Sequence, residues 1–389
     1  MKRVRLEQVA AWSLYAFVGA LQWSIFAAEV LALPVMAACW IAMLVSGRAR
    51  IDAPRFFWPL VAYAVLTLVS AVFSVEPAAS IEDCKQLLLF AVVPATYEIA
   101  RAGRARTAVT IAITLGAASA AYGVIQYGIL HFDSLGQRPH GTMGHYMQYS
   151  GLLMLVTTAA AARVLFDTRD RTWSAVVLPA LMVALALTFT RSAWVGTGVA
   201  LTMLFLIKDV RLVGVLPVLL AVFFAVAPLQ VKQRMYSMFD MNDPTNRDRF
   251  AMLREGARMV AADPLTGMGP NMVERVYLRF RDPEAVERVN PHLHNVPMQI
   301  AAERGLLALG AWLWFVGSAA AGLVALMRRS RSKVLAATGL GAIMAMLGAG
   351  MFEHNFGASI FLMFFLVLLT LPFAAERPRL SASADSPKL

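Results

Sequence analysis

The chain has 389 residues, 59% of them hydrophobic and only 15% charged, with a mean hydropathy of +0.62. Soluble domains carry about 25% charged residues, so this composition excludes an ordinary soluble enzyme and predicts an all-α polytopic membrane protein. The formal net charge of +11 does not imply a nucleic-acid partner, because Lys and Arg collect in the cytoplasmic loops of membrane proteins.

Taken in chain order, the basic start MKRVRLEQVAAWSLY reads as a retained first span, since no clear small-residue cleavage site follows it. Apolar runs then predict about twelve transmembrane helices, at 9–26, 29–46, 57–74, 82–100, 107–129, 145–166, 173–189, 193–207, 212–229, 298–327, 334–352 and 357–374. Each reaches, or nearly reaches, the length that crosses a ~30 Å hydrocarbon core. With a cytoplasmic N-terminus, the cytoplasmic connections hold most of the cations, among them Arg48, Arg101, Arg163, Lys208, Arg328, Arg331, Arg379 and Lys388. The short connections on the other side hold only Arg138 and Arg191, and this asymmetry fits the count and the orientation together. The division expected is 1–229 for spans one to nine, 230–297 for a large folded outer loop, 298–376 for the last three spans and 377–389 for a cytoplasmic tail. Cys39 and Cys84 lie in or beside apolar segments and form no disulfide framework.

The outer loop reads as helical. NRDRFAMLREGARMVAADP places Phe250, Leu253, Ala257 and Val260 at helical spacing, with Thr245 or Asn246 as the expected N-cap. PLTGMGPN reads as a turn and EAVERV as a second short helix.

Five polar stretches meet on the outer face: 136–150 with Arg138, His140, His145 and Gln148; 187–198 with Arg191; the loop start with Arg247 and Arg249; PHLHNVPMQIAAERG at 291–305; and EHNFG at 353–357, with His354. Arg191, between two apolar spans, either snorkels to lipid phosphate or serves a phosphorylated substrate through its bidentate fork. Arg249 heads a helix, where a cation opposes the dipole, which suggests a nearby anion unless it is simply solvated. Arg247, Arg254 and Arg258 form a stripe that reads as a solvated face. His292 and His294 admit three readings: a zinc pair, a hydrogen-bonded helix start, or a general base. No third ligand stands at a familiar metal spacing, and Asp240 and Asp243 make no compact acidic pair beside a span. Glu303 falls on the face away from His294 and reads as structural.

Four of these segments together resemble the O-antigen ligases, within the ligase/polymerase superfamily. RPHGTMGH is similar to the family's outer-loop Arg-x-x-Gly-Thr segment. LTFTRSAWVG resembles its Leu-Thr-x-Ser-Arg-x-Ala-Trp segment, with Thr190 where Ser is usual. RFAMLREGARMVAADPLTGMGPN resembles its Arg-headed helix and Pro-Leu-x-Gly-x-Gly turn, with Leu253 where an aromatic is common, and HLHNVPMQIAAERGLLAL resembles its His-Asn segment. The resemblance covers most of the chain and implies a metal- and cofactor-free inner-membrane glycosyltransferase with both termini cytoplasmic and its active site facing the periplasm. It implies transfer of polysaccharide from undecaprenyl diphosphate to a lipid A–core hydroxyl, among membrane lipids, with inversion. His294 would be the base, and Arg191 and Arg249 would bind the diphosphate. Arg138, Arg247, His145, His292, Asn295 and His354 would contact substrate. An O-antigen polymerase, a protein O-oligosaccharyltransferase and a lipid-linked oligosaccharide flippase remain the alternatives. A flippase should carry intramembrane charges reaching both faces, whereas the polar groups here gather on one.

Overall fold

The computed structural model describes residues 2–101, 103–330 and 333–377. All of the expected tail, 377–389, except Arg377, and the cations Arg331, Arg379 and Lys388, lie outside the described residues. Among the described residues every regular element is helical and no strand occurs, as lipid demands of a spanning backbone. The helices are α1 (Lys2–Ala20), α2 (Leu33–Val45), α3 (Phe57–Val72), α4 (Pro77–Asp83), α5 (Val92–Ile99), α6 (Arg104–Gly128), α7 (Tyr146–Phe166), α8 (Arg171–Leu187), α9 (Arg191–Lys208), α10 (Val215–Val226), α11 (Leu229–Tyr236), α12 (Pro244–Ala262), α13 (Val273–Phe280), α14 (Val296–Arg329), α15 (Val334–Gly350) and α16 (Ser359–Ala375).

Four apolar helical stretches have the length to cross a membrane by themselves: Ala27–Val45, Arg104–Gly128, Tyr146–Phe166 and Val296–Arg329. Five shorter apolar helices join them, at Phe57–Val72, Arg171–Leu187, Val210–Val226, Val334–Gly350 and Ser359–Ala375. The predicted span at 82–100 is not one α-helix: a 3-10 stretch, Cys84–Ala91, precedes α5.

α7 and α16 are buried along nearly their whole length and form the centre of the bundle. α15, rich in Gly and Ala, packs against both α7 and α9. A Cβ at Gly196 would stand 2.6 Å from the Ala345 carbonyl, so the missing side chain lets α9 and α15 approach at backbone distance. α7 also orients the molecule. Its first turn borders the candidate site, and its last turn reaches Arg163 and Asp167, where Arg106 pairs with Asp167 at the opposite end of the bundle.

α14 is broken. Gly305 has φ 79° and ψ 171°, which separates 296–304 from a longer apolar part, 306–329, roughly 36 Å long. The PLTGMG turn occupies the break. Leu306 N–H donates to the Pro264 carbonyl (2.9 Å), Met268 N–H to Ala302 (2.9 Å) and Gly269 N–H to Glu303 (2.8 Å). Backbone groups freed by the break are thereby satisfied, as burial requires.

The loop helices correct three expectations. The N-cap of α12 is Asp243, which accepts from the Thr245 and Asn246 N–H groups, rather than either of those residues. Pro244 at the first helical position favours this start. The buried face of α12 is Asp248, Met252, Glu255 and Met259; Phe250 and Leu253 are exposed because they face a small apolar cavity instead of the loop core. EAVERV is not a helix. The second loop helix is α13, and residues 284–289 form turns whose Val286 and Glu287 N–H groups donate to Asp248 (3.0 and 3.1 Å).

Candidate active site

A cavity of about 330 Å³ opens where α7, α9, α11, α12 and the start of α14 meet. Its volume lies at the small end of the range typical of ligand sites. Arg138, Arg191, Arg234, Arg249, His294 and Glu353 all line it, from six separate segments of the chain.

Arg191 is placed by a helix start. Phe189 takes the left-handed conformation (φ 54°), Thr190 is extended, and α9 begins at Arg191. The residue is 4% exposed. One nitrogen donates to the Ser237 carbonyl (3.0 Å) and the other to Asp243 Oδ1 (3.3 Å). Asp243 thus caps α12 and holds Arg191 at once. Burial raises its carboxyl pKa, but Arg191 and the two capping N–H groups outweigh that and hold it below the ordinary range.

Arg138 is fixed through its own loop. Gln126 accepts from the His140 and Gly141 N–H groups (3.0 and 2.8 Å), while Arg138 Nε donates to the Leu135 carbonyl (3.0 Å) and its guanidinium lies 4.2 Å over the Tyr146 ring. Arg249 projects from the second turn of α12 and lies 5.9 Å from the Phe352 ring centre. Arg138, Arg234 and Arg249 have no carboxylate at ion-pair distance among the described residues. Burial lowers the pKa of each, and for Arg234, with Arg191 and Arg138 adding to burial, to about 10. Four guanidiniums line this space together with Asp248, Glu287 and Glu353, and three of the four lack an ion-pair partner among the described residues, which lets them receive an anion.

His294 stands one residue before the N-cap of α14 and is left-handed, with φ 46°. Non-glycine residues rarely adopt that region, and where they do the neighbours must enforce it. Here Asn295 Oδ1 accepts from Met298 N–H (2.9 Å), Asn295 Nδ2 donates to the Met351 carbonyl (3.1 Å), and Gln299 accepts from Leu293 N–H (2.7 Å). His294 Nδ1 lies 3.0 Å from Glu353 Oε1. Burial raises the Glu353 carboxyl, but the His294 hydrogen bond and charge, with Arg249 behind them, bring it down to about 2. An ionised carboxylate only accepts, so Nδ1 carries a proton, and in the neutral ring Nε2 is then the atom with the free lone pair.

The remaining sequence candidates are distributed as follows. Asn295 acts as cap and crosslink and borders a neighbouring apolar cavity of about 150 Å³, which Arg249 and His294 also line. His292 lies between His294 (5.4 Å, edge to face) and His354 (5.7 Å, tilted), and burial beside His294 lowers its pKa. His354 turns away to a small cavity with Arg304, Tyr63 and Gln86, where burial and Arg304 bring it down to about 3. His145 is exposed, accepts from Met147 N–H (3.2 Å) as the cap of α7, and stacks on Tyr146. Arg247 is exposed and lies outside the cavity. Glu303 faces away from His294 and binds Arg304 at 2.6 Å.

Of the six charged cavity residues named above, two are absent from the sequence candidates. Glu353 sits in the flagged EHNFG stretch, and its carboxylate beside a histidine was the available signal. Arg234 has none, because a cation on a short amphipathic helix looks solvated.

Residues 174–313 match the family model described as O-antigen ligase. The match supports assignment of the chain to the O-antigen ligase family. Members of this family are membrane glycosyltransferase-like ligases and polymerases. No curated protein matches the chain. The matched segment contains Arg191, Arg234, Arg249, His292, His294 and Asn295, whereas Arg138 and Glu353 come from outside it.

Proposed function

We propose that this protein is an O-antigen ligase of the bacterial inner membrane. It moves polysaccharide from undecaprenyl diphosphate to a lipid A–core sugar hydroxyl at the periplasmic face. The carrying observation is the juxtaposition of a cluster of four arginines, three of them without an ion-pair partner among the described residues, with a carboxylate-bound imidazole in one cavity. The sugar's C1 already bears a diphosphate leaving group, so positioning, charge stabilisation and a base suffice. Arg191, Arg249 and Arg138 bind the diphosphate. His294 Nε2 takes the proton of the attacking hydroxyl, the oxygen bonds C1, and the C1–O bond to the diphosphate breaks with its electron pair leaving on phosphate. Glu353 stabilises the imidazolium that results. Attack opposite the leaving group inverts the anomeric centre. No metal or cofactor enters these steps.

The membrane arrangement belongs to the same proposal. About twelve helices cross the bilayer, both termini are cytoplasmic, and 230–297 is a periplasmic loop domain between 1–229 and 298–376. Support comes from the candidate site lying at one end of α7 and the ionic groups Arg106, Arg163 and Asp167 at the other.

Purified full-length protein is incubated with undecaprenyl-diphosphate-linked glycan and lipid A–core. Glycan covalently joined to lipid A–core, with release of undecaprenyl diphosphate, is expected. Elongation of the lipid-linked glycan in place of that product would make the enzyme a polymerase, and the absence of any transfer would overturn the reading.

A further inference from the structure

Arg234 takes no part in the chemistry above. It projects from α11 into the cavity, and its buried Nε has no hydrogen-bond partner. It also lines a second cavity of about 230 Å³, bordered by Asp133, Ser134, Gln230, Gln233 and Asp243. Arg138, Arg191 and Arg249 share the main cavity with Arg234, whereas the side chamber holds no other cation, so the anion for Arg234 belongs on the main-cavity side.

The side cavities order the site. The apolar one shares Arg249 and His294 with the main cavity, the polar one shares Arg234, and the two have no lining residue in common. Arg249 and Arg234 therefore border different side cavities. In a displacement at C1, the base lies beside the incoming oxygen and the sugar-bearing phosphate comes next. The lipid-bearing phosphate is one P–O–P linkage farther from the base. α11 also follows directly from α10, an apolar helix with no buried residue, which places Arg234 near the boundary of the bilayer, where a lipid's phosphate lies.

We propose that Arg234 is a further substrate-binding residue, gripping the lipid-bearing phosphate of the diphosphate donor. This rests on the diphosphate reading of the same cavity. Farnesyl monophosphate and farnesyl diphosphate are the probes, with binding to full-length protein in detergent measured by calorimetry. The lipid-bearing phosphate is common to both, so Arg234→Gln weakens both by about tenfold or more, as expected for one charged hydrogen-bonding contact. Arg249→Gln weakens the diphosphate alone. Arg234→Lys, which retains the charge without the fork, gives intermediate affinity and serves if the Gln variant melts early. Wild-type protein binding farnesyl monophosphate no more tightly than Arg234→Gln would overturn the proposal. Unchanged diphosphate affinity in Arg191→Gln and Arg249→Gln would instead overturn the diphosphate reading itself.

Discussion

Glu353 holds His294: its Oε1 lies 3.0 Å from Nδ1, joining segments 59 residues apart at the mouth of the cavity. The carboxylate fixes the ring orientation and the tautomer that leaves Nε2 free for a proton. His294→Ala should therefore lower kcat by about a hundredfold or more with folding retained. Glu353→Gln should lower kcat less, with donor KM nearly constant, because it disturbs the base rather than the anion site. Initial rates across donor concentrations separate the two parameters, and normal transfer by His294→Ala would remove the base assignment.

The same pair makes stability depend on pH. The folded Glu353 carboxyl lies at about 2, below the unfolded value of about 4.3. A depressed carboxyl pKa gives stability that is complete above the unfolded value and is lost as pH falls through the folded one. The melting-temperature advantage of wild type over Glu353→Gln should be full at pH 6 and shrink between about pH 4 and pH 2. An advantage constant across that range would mean that the ionised pair contributes nothing to the fold.

The cavity shows which parts of a site a sequence discloses. Arg138, Arg191, Arg249 and His294 stand out because charged groups beside apolar spans are costly and need a reason. Glu353 was visible only as part of a polar stretch, since its role arises from a contact between the ends of α14 and α15. Arg234 gave no signal, because the residues that share its cavities, Phe189 and Arg138 among them, are distant in sequence. The period of α12 misled for a related reason. Phe250 and Leu253 have helical spacing but line the apolar cavity, and the loop core is built on Met252 and Met259, with Asp248 and Glu255 buried by their hydrogen bonds. Polar residues that satisfy each other inside a loop read from sequence as an exposed face.

Arg191→Lys should abolish most transfer. The guanidinium reaches Ser237 and Asp243 with separate nitrogens, and an ammonium cannot reproduce both contacts while facing an anion. A fall in kcat/KM of about tenfold or more is expected, with little change in melting temperature. Wild-type rates in this variant would leave Arg191 a structural role, holding Ser237 and Asp243.

Metal removal should have no effect. The arginine cluster supplies the positive charge that a divalent ion would bring to a diphosphate. Transfer measured after exhaustive chelation, with chelator maintained in the assay, should match the untreated rate. Loss of activity restored by added zinc would revive the metal reading of His292 and His294.

Gly305→Ala should unfold the region that carries the base. A Cβ there would lie 2.0 Å from the Leu265 carbonyl, and φ 79° is already unfavourable for alanine. The obstacle is the backbone of the PLTGMG turn, which is hydrogen-bonded to Ala302, Glu303 and Leu306 and has no room to yield. Strain of this kind costs on the order of 1–3 kcal/mol, with the steric overlap adding to it. His294 depends on the same segment, because Asn295 and Gln299 fix its backbone from the short helix that the break creates. The variant should therefore melt earlier and lose activity even at temperatures where it remains folded. Hydrogen exchange at 264–306 should rise while α7 and α16 stay protected. A Gly305→Ala protein with wild-type melting and exchange would show that the break does not support the base.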